Sequence, residues 1–371
     1  MIGKNNKVKS TYSMKFWYHI ALAALLAVLG GCAKVEVASV PTGQVAFSVG
    51  SYRASTKASS LSSDGITSFQ SRAFLHATGV AETQEFFGAA GETITYTAPE
   101  WLPSHPYYWP KDAGSYVNFV SWHDLGGAPD SSLSETSLSW SERTIAADDN
   151  IMFADEAWRF NSNKQVYTSV SGASEGVPTL FHHALARVRF TAIAKQLAAT
   201  GVNWEVQVTG LSLEGACSTG SLSLVNADPM TEETTVPWTR PGGGSPAWTP
   251  KASSRTTLFD ETGVWTLQDR SNGGEPVEII AAQSVLSQAV TDDIVLRIAY
   301  SIKTAYSASE YIKENASATV QLNEFVSTID TWEMNKIITY NIVIDPDTDT
   351  IKFDPEMIDW EEVSVGDLVI D

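Results

Sequence analysis

Ala186-Arg187-Val188-Arg189-Phe190-Thr191-Ala192 decides the fold class. Ala186, Val188, Phe190 and Ala192 fall on one side, and Arg187, Arg189 and Thr191 on the other. A period of two is the signature of a strand with one face buried and one face wet. The same signature recurs outward in both directions. Trp204, Val206 and Val208 alternate with Glu205, Gln207 and Thr209, and Ile294, Leu296, Ile298 and Tyr300 face away from Arg297. Near the C-terminus Ile338, Tyr340, Ile342 and Ile344 face away from Thr339 and Asn341. Upstream, Val117 and Phe119 flank Asn118, and Val45, Phe47 and Val49 alternate with Ala46, Ser48 and Gly50.

Turn chemistry separates these segments, as at Gly126-Gly127-Ala128-Pro129-Asp130 and Pro241-Gly242-Gly243-Gly244. Short alternating strands between such turns predict an all-β protein built of β-sandwiches, not a parallel α/β sheet. Helical spacing is confined to single turns at Lys195–Ala199 and Glu310–Glu314. The Ser/Gly-rich stretch Thr168–Val177 is the best place to divide the chain, giving domains over 32–176 and 177–371. Residues 228–256, polar and rich in Pro and Gly, read as a long loop inside the second domain.

The first 31 residues read as an export signal. Lys4, Lys7, Lys9 and Lys15 precede an apolar run from Phe16 to Leu29, broken only by His19 and ended by Gly30-Gly31-Cys32. The run is shorter than the roughly 20 residues that a membrane-spanning helix needs. Leu29-Gly30-Gly31-Cys32 resembles the bacterial lipobox, which implies cleavage before Cys32 and lipid attachment to its thiol. Translation starting at Met14 in place of Met1 gives a signal of ordinary length.

The whole chain has a formal net charge of −19, and losing the four signal lysines leaves the remainder more acidic still. Such a surface repels nucleic acid, and no basic stripe is present to bind it. Of the two cysteines, Cys32 is assigned to lipid, so Cys217 has no partner in the chain and a disulfide framework is excluded.

No catalytic frame is legible: the HExxH, GxSxG, Walker and dinucleotide glycine patterns are all missing. His182 and His183 are adjacent, so an extended backbone points them to opposite faces and they do not chelate one ion. Asp345, Asp347, Asp349 and Glu356 occupy calcium-loop spacing, but Thr350 stands where the sharp turn needs glycine, and an Asp-rich hairpin turn is expected instead. No metal, cofactor or enzymatic activity is expected. The 12 tryptophans suit sandwich cores, and they also raise an alternative function, a surface glycan-binding lipoprotein of a polysaccharide-uptake system.

Four elements, in order, resemble the fimbrillin-like family of lipoprotein pilins and accessory subunits of Bacteroidales surface fimbriae. They are Tyr107-Tyr108-Trp109-Pro110 before Val117-Asn118-Phe119-Val120; Phe181-His182-His183-Ala184-Leu185-Ala186-Arg187-Val188-Arg189-Phe190; Trp332-Glu333-Met334-Asn335-Lys336 leading into Thr339-Tyr340-Asn341-Ile342; and Ile351-Lys352-Phe353 with Ile358-Asp359-Trp360-Glu361.

The resemblance implies two tandem transthyretin-like β-sandwich domains and an outer-membrane lipoprotein exposed at the cell surface. Its implied partners are other fimbrial subunits, in a homo- or hetero-polymer, together with host or bacterial surface ligands. In the family a protease cuts after an arginine, the N-terminal strand leaves, and a strand from the next subunit takes its place. Carried onto this sequence, the departing strand is near Val45–Tyr52 and the candidate cleavage points are Arg53 and Arg72. The candidate donor is the tail with Val363, Val365, Leu368 and Ile370, which Gly366-Asp367 interrupts. That tail reads equally as the last edge strand of its own sandwich, and stalk, tip and anchor roles all stay open.

Overall fold

The computed structural model describes residues 43–51, 66–97, 100–165, 175–199, 202–226, 230–304, 311–325, 329–346 and 350–360. In chain order the strands are β1 (Phe47–Ser51), β2 (Ser68–His76), β3 (Gln84–Glu85), β4 (Glu92–Thr97), β5 (Glu100–Pro103), β6 (Tyr116–Asp124) and β7 (Ser137–Thr144). Then come β8 (Ile151–Ala154), β9 (Glu156–Phe160), β10 (Lys164–Gln165), β11 (Glu175–His183), β12 (Ala186–Ala194) and β13 (Ala198–Ala199). They are followed by β14 (Val202–Cys217), β15 (Thr219–Val225), β16 (Thr234–Val236), β17 (Trp248–Pro250), β18 (Arg255–Thr266) and β19 (Val277–Val285). The last are β20 (Gln288–Ala289), β21 (Val295–Thr304), β22 (Tyr311–Gln321), β23 (Thr331–Trp332), β24 (Lys336–Asp345) and β25 (Thr350–Asp359), with a short helix α1 (Leu322–Phe325) after β22. The all-β expectation holds.

The largest sheet runs β16-β9-β6-β8-β11-β1-β5-β4-β2-β3, and β2 also pairs with β6. That second pairing closes a ring of β6, β8, β11, β1, β5, β4 and β2. Inside it lies a core of Val45, Phe47, Val49, Phe69, Phe119, Met152 and Phe181, among others. β6 is buried on both faces: Val117 and Phe119 enter this core, whereas Val120 and Trp122 enter a neighbouring one. Double burial explains why apolar residues occupy both faces from Val117 to Trp122, with the buried Asn118 and Ser121 hydrogen-bonded to Glu135 and Ser71.

Two further sheets, β19-β12-β24-β25 and β13-β14-β21-β22 with β18 on β14, enclose the core opened on above. Val188 and Phe190 of β12 meet Val206 and Leu211 of β14 and Leu296 and Ile298 of β21 there. Deep in it the Trp332 indole N–H donates to the Tyr340 hydroxyl at 2.9 Å, both residues being fully buried. Burial pushes that hydroxyl up to about 12, against the lowering effect of the Trp332 bond. A Tyr340→Phe chain leaves the indole N–H unpartnered and is expected to lose about 1–3 kcal/mol in urea unfolding. A change of less than about 0.5 kcal/mol would show that the bond contributes nothing net.

A third core joins residues from both sequence halves, including Trp122, Trp140, Leu222, Trp238, Trp248 and Trp360. Here residues 228–256 depart from the long-loop expectation. β16 pairs with β9, β17 pairs with β15, and the buried indoles of Trp238 and Trp248 donate to the Ala154 and Ala184 carbonyls at 2.8 and 2.6 Å. Apolar anchors pin a segment whose composition is otherwise that of a loop. β7 likewise pairs with β15, so strands from either side of residue 176 share sheets.

The helical turns expected at Lys195–Ala199 and Glu310–Glu314 are not formed. Ala198–Ala199 pairs with the start of β14, and Tyr311 onward pairs with β21, ladder bonds outweighing a few residues of local spacing. β24 and β25 pair antiparallel with Asp345 facing Thr350, and the Asp345 carboxylate accepts from Lys195 Nζ at 2.6 Å; Asp347 and Asp349 of the expected turn lie outside the described residues. Among the described residues no His, Cys, Asp or Glu group is arranged to hold a metal ion, and no helix is long and apolar enough to cross a membrane.

Candidate functional site

The segment that enters and forms β1 is enclosed on both faces. Val45, Ala46, Phe47, Ser48, Val49 and Gly50 are all buried. On one side β1 runs parallel to β11, from Phe47 opposite Val177 to Ser51 opposite Phe181, and the Val177 N–H donates to the Ala46 carbonyl at 2.7 Å. On the other side Phe47 pairs with Trp101 of β5, and the entering backbone is tied to the aromatic step at 107–109. There the Val45 N–H donates to the Tyr107 carbonyl at 2.8 Å and the Trp109 N–H donates to the Gly43 carbonyl at 2.9 Å. Both walls carry motifs on which the family resemblance rests, Phe181-His182-His183 and Tyr107-Tyr108-Trp109. The Tyr107 hydroxyl donates to Glu92 at 3.0 Å, which fixes the second wall to β4.

The row Val45, Phe47, Val49 points into the ring core, as its alternation predicts. The Phe47 ring meets Phe69 and Phe119 edge-on, with centroids at 5.5 and 5.6 Å, and Phe87 at 6.4 Å. The opposite row, Ala46, Ser48 and Gly50, is small. Where β11 begins, a Cβ on Gly176 would stand 2.4 Å from the Phe47 carbonyl carbon, so the two backbones approach more closely than any other residue type allows.

Asn163 closes the entrance, and nothing in its sequence context marked it. Its side-chain carbonyl accepts from Ala46 N–H at 3.2 Å and from the Trp109 indole at 2.9 Å, and its amide donates to the Gln44 carbonyl at 2.7 Å. Asn163→Ala strips three partners at once and is expected to cost about 2–3 kcal/mol, with faster amide exchange at Ala46. Asn163→Asp keeps the acceptor and should fall between the two; equal exchange in all three chains would contradict the clasp.

Of the residues singled out in the sequence, Cys32, Arg53 and the tail with Val363, Val365, Leu368 and Ile370 lie outside the described residues. Arg72 sits within β2, paired with Val120 of β6, while its neighbour Ser71 pairs with Glu92 of β4. Its guanidinium contacts Glu85 and donates to the Leu133 carbonyl at 2.7 Å. A cut after Arg72 would fall inside a hydrogen-bonded ladder.

His182 and His183 point apart, as expected: His182 meets Asp155 at 2.8 Å, and His183 meets Asn150 at 3.0 Å and stacks on Trp360 at 3.7 Å. Both line a cleft of about 880 Å³ with Phe153, Trp238, Glu333 and Lys336, whose aromatic members are buried and offer no open ring face. Each described tryptophan is buried or half-buried, which disfavours a glycan platform built on exposed tryptophans, while Tyr96 and Tyr108 are exposed. Glu156, at the start of β9, is fully buried and accepts from the Asn226 amide at 2.8 Å. Burial raises its carboxyl to about 8, and the Glu135 charge adds to the rise.

An all-β chain with its first strand threaded between two distant parts of one sheet defines the class. The fimbrillin-like family model matches residues 56–360, and the chain belongs to that family. A fimbrial protein from Bacteroides vulgatus shares 12% identity over 86% of this chain and 99% of its own, with a TM-score of 0.53, a likeness of fold. A proposed cell adhesion protein from Parabacteroides distasonis shares 12% identity over 87% and 98%, with a TM-score of 0.46. No curated protein sequence matches the chain.

Proposed function

We propose that this chain is a structural or adhesive subunit of cell-surface fimbriae that assembles by β-strand donation. Membership of a fimbrillin-like family supports a structural role over a catalytic one. In this reading the precursor is exported, lipidated on Cys32 and carried to the outer membrane. Cleavage after Arg53 then releases β1 together with the lipid, and the vacated slot takes a strand from another subunit. The candidate donor for the next subunit is the tail with Val363, Val365, Leu368 and Ile370.

One observation carries the reading. Residues 45–50 are buried between β11 and the 107–109 step, and they are joined to β2 through the segment that contains Arg53. A single cut there separates a stave of the ring from the rest of the chain. The position of Arg72 inside β2 favours Arg53 over it.

Processing in cells tests this. Arg53→Ala chains are expected to stay lipid-bound in the membrane and out of SDS-resistant high-mass ladders, while Arg72→Ala chains mature normally. If Arg53→Ala chains still enter ladders with the mature N-terminus unchanged, release of β1 by that cut is not the assembly step.

A further inference from the structure

We propose that the slot under β1 is built for a donor strand with an aromatic residue at its central inward position, supplied by a subunit other than a second copy of this chain. The inference rests on the strand-donation reading above and names the partner of that same slot.

The requirement is set by what β1 places in the slot. At the centre a phenylalanine ring fills a box made by Phe69, Phe87 and Phe119, with valines on either side that are likewise fully or almost fully buried. The other face admits only Ala46, Ser48 and Gly50, all buried. A replacement strand must therefore read branched, small, aromatic, small, branched. Two of the box walls, Phe69 on β2 and Phe119 on β6, belong to strands fixed by their own ladders, which limits how far the box can close in around a smaller side chain.

The chain's own tail, Glu361-Glu362-Val363-Ser364-Val365-Gly366-Asp367-Leu368-Val369-Ile370-Asp371, does not meet that pattern in either direction. It contains no aromatic residue. Centring Val363 puts Glu361 in the inward row, and centring Val365 puts Asp367 there. Centring Leu368 keeps charge out of the inward row, but it seats Gly366 where a valine belongs and turns Asp367 and Val369 toward the small-residue face. Each placement leaves a cavity, an inward charge or a clash, and burying an unpaired carboxylate is the most costly of these. The groove and the tail of this protein thus fit different partners, which is the condition for an ordered hetero-assembly and not for a uniform stack of copies.

The test uses the full mature chain, cut at a specific protease site placed directly after Arg53 so that β1 stays seated but is no longer covalently joined. Labelled fragment is displaced at equilibrium by synthetic strands. The strand Gln44–Ser51 should displace it; the same strand carrying Phe47→Ala should need about 100-fold more peptide or worse, and the tail peptide Glu361–Asp371 should be at least as weak. The cut chain alone should form no SDS-resistant ladder. The proposal is overturned if the tail peptide competes within about threefold of Gln44–Ser51, if Phe47→Ala makes no difference, or if the cut chain polymerises by itself. If no strand exchanges, Gln44–Ser51 included, although the labelled fragment does dissociate, strand donation itself fails.

Discussion

A Phe47→Ala chain is expected to unfold with about 3–5 kcal/mol less stability than the wild type and to lose amide protection across residues 44–51 first. The ring is wholly buried, so its removal forfeits the transfer energy of a phenyl group and leaves a void. Two edge-on partners, Phe69 at 5.5 Å and Phe119 at 5.6 Å, add about 0.5–1.5 kcal/mol each beyond burial. The void collapses only in part, because Phe69 and Phe119 are held on paired strands, β2 and β6. The loss also concentrates on one short strand, bonded to β11 and to the 107–109 step. Val49→Ala, at the end of the same row, should cost only about 1–2 kcal/mol. Urea unfolding and hydrogen exchange together decide the matter: a loss under about 1 kcal/mol, or unchanged protection at 44–51, would mean that Phe47 does not hold the strand.

The second large effect belongs to Glu156. Its carboxyl is ordinary in the unfolded chain, near 4.5, and about 8 in the folded one. A raised acid favours the fold in its protonated form, so its contribution is fully present below pH 4.5 and is lost as pH climbs toward 8. The difference corresponds to something on the order of 5 kcal/mol at alkaline pH. Glu156→Gln keeps an oxygen for the Asn226 amide and removes the charge. The variant should therefore match the wild type near pH 4.5, gain on it steadily up to pH 8, and run parallel to it beyond. Every other titratable group acts on both chains alike, so the difference between the two melting curves is the quantity to read. A difference that stays constant from pH 5 to pH 9 would remove Glu156 from the account.

The fold class was legible wherever one face of a strand is wet. Ala186–Ala192, Val206–Val208, Leu296–Tyr300 and Ile338–Ile344 alternate in sequence because they line one side of a two-sheet core. Val45, Phe47 and Val49 were legible because they alternate with small residues, although that second row is buried as well, so the pattern marked a strand and not its full enclosure. What was not legible depends on distant pairing. Nothing local tells residues 234–236 to join β9 or 137–144 to join β15, since those ladders are chosen by cores to which Trp238 and Trp248 contribute only after the chain has collapsed. Asn163 escaped notice because its partners, Gln44, Ala46 and Trp109, are far away in sequence and its own neighbourhood reads as a plain polar turn.

The ring formed when β2 pairs with β6 has a consequence for the time before assembly. With β1 seated, β11 and the 107–109 step have their hydrogen-bonding sides satisfied, and that part of the molecule presents no unpaired ladder to stray polypeptide. If the subunit assembles by strand donation as proposed, this keeps it from sticking to its siblings on the way out of the cell. The first strand would then act as a built-in escort, made with the chain it protects and discarded at the moment when a neighbour is due.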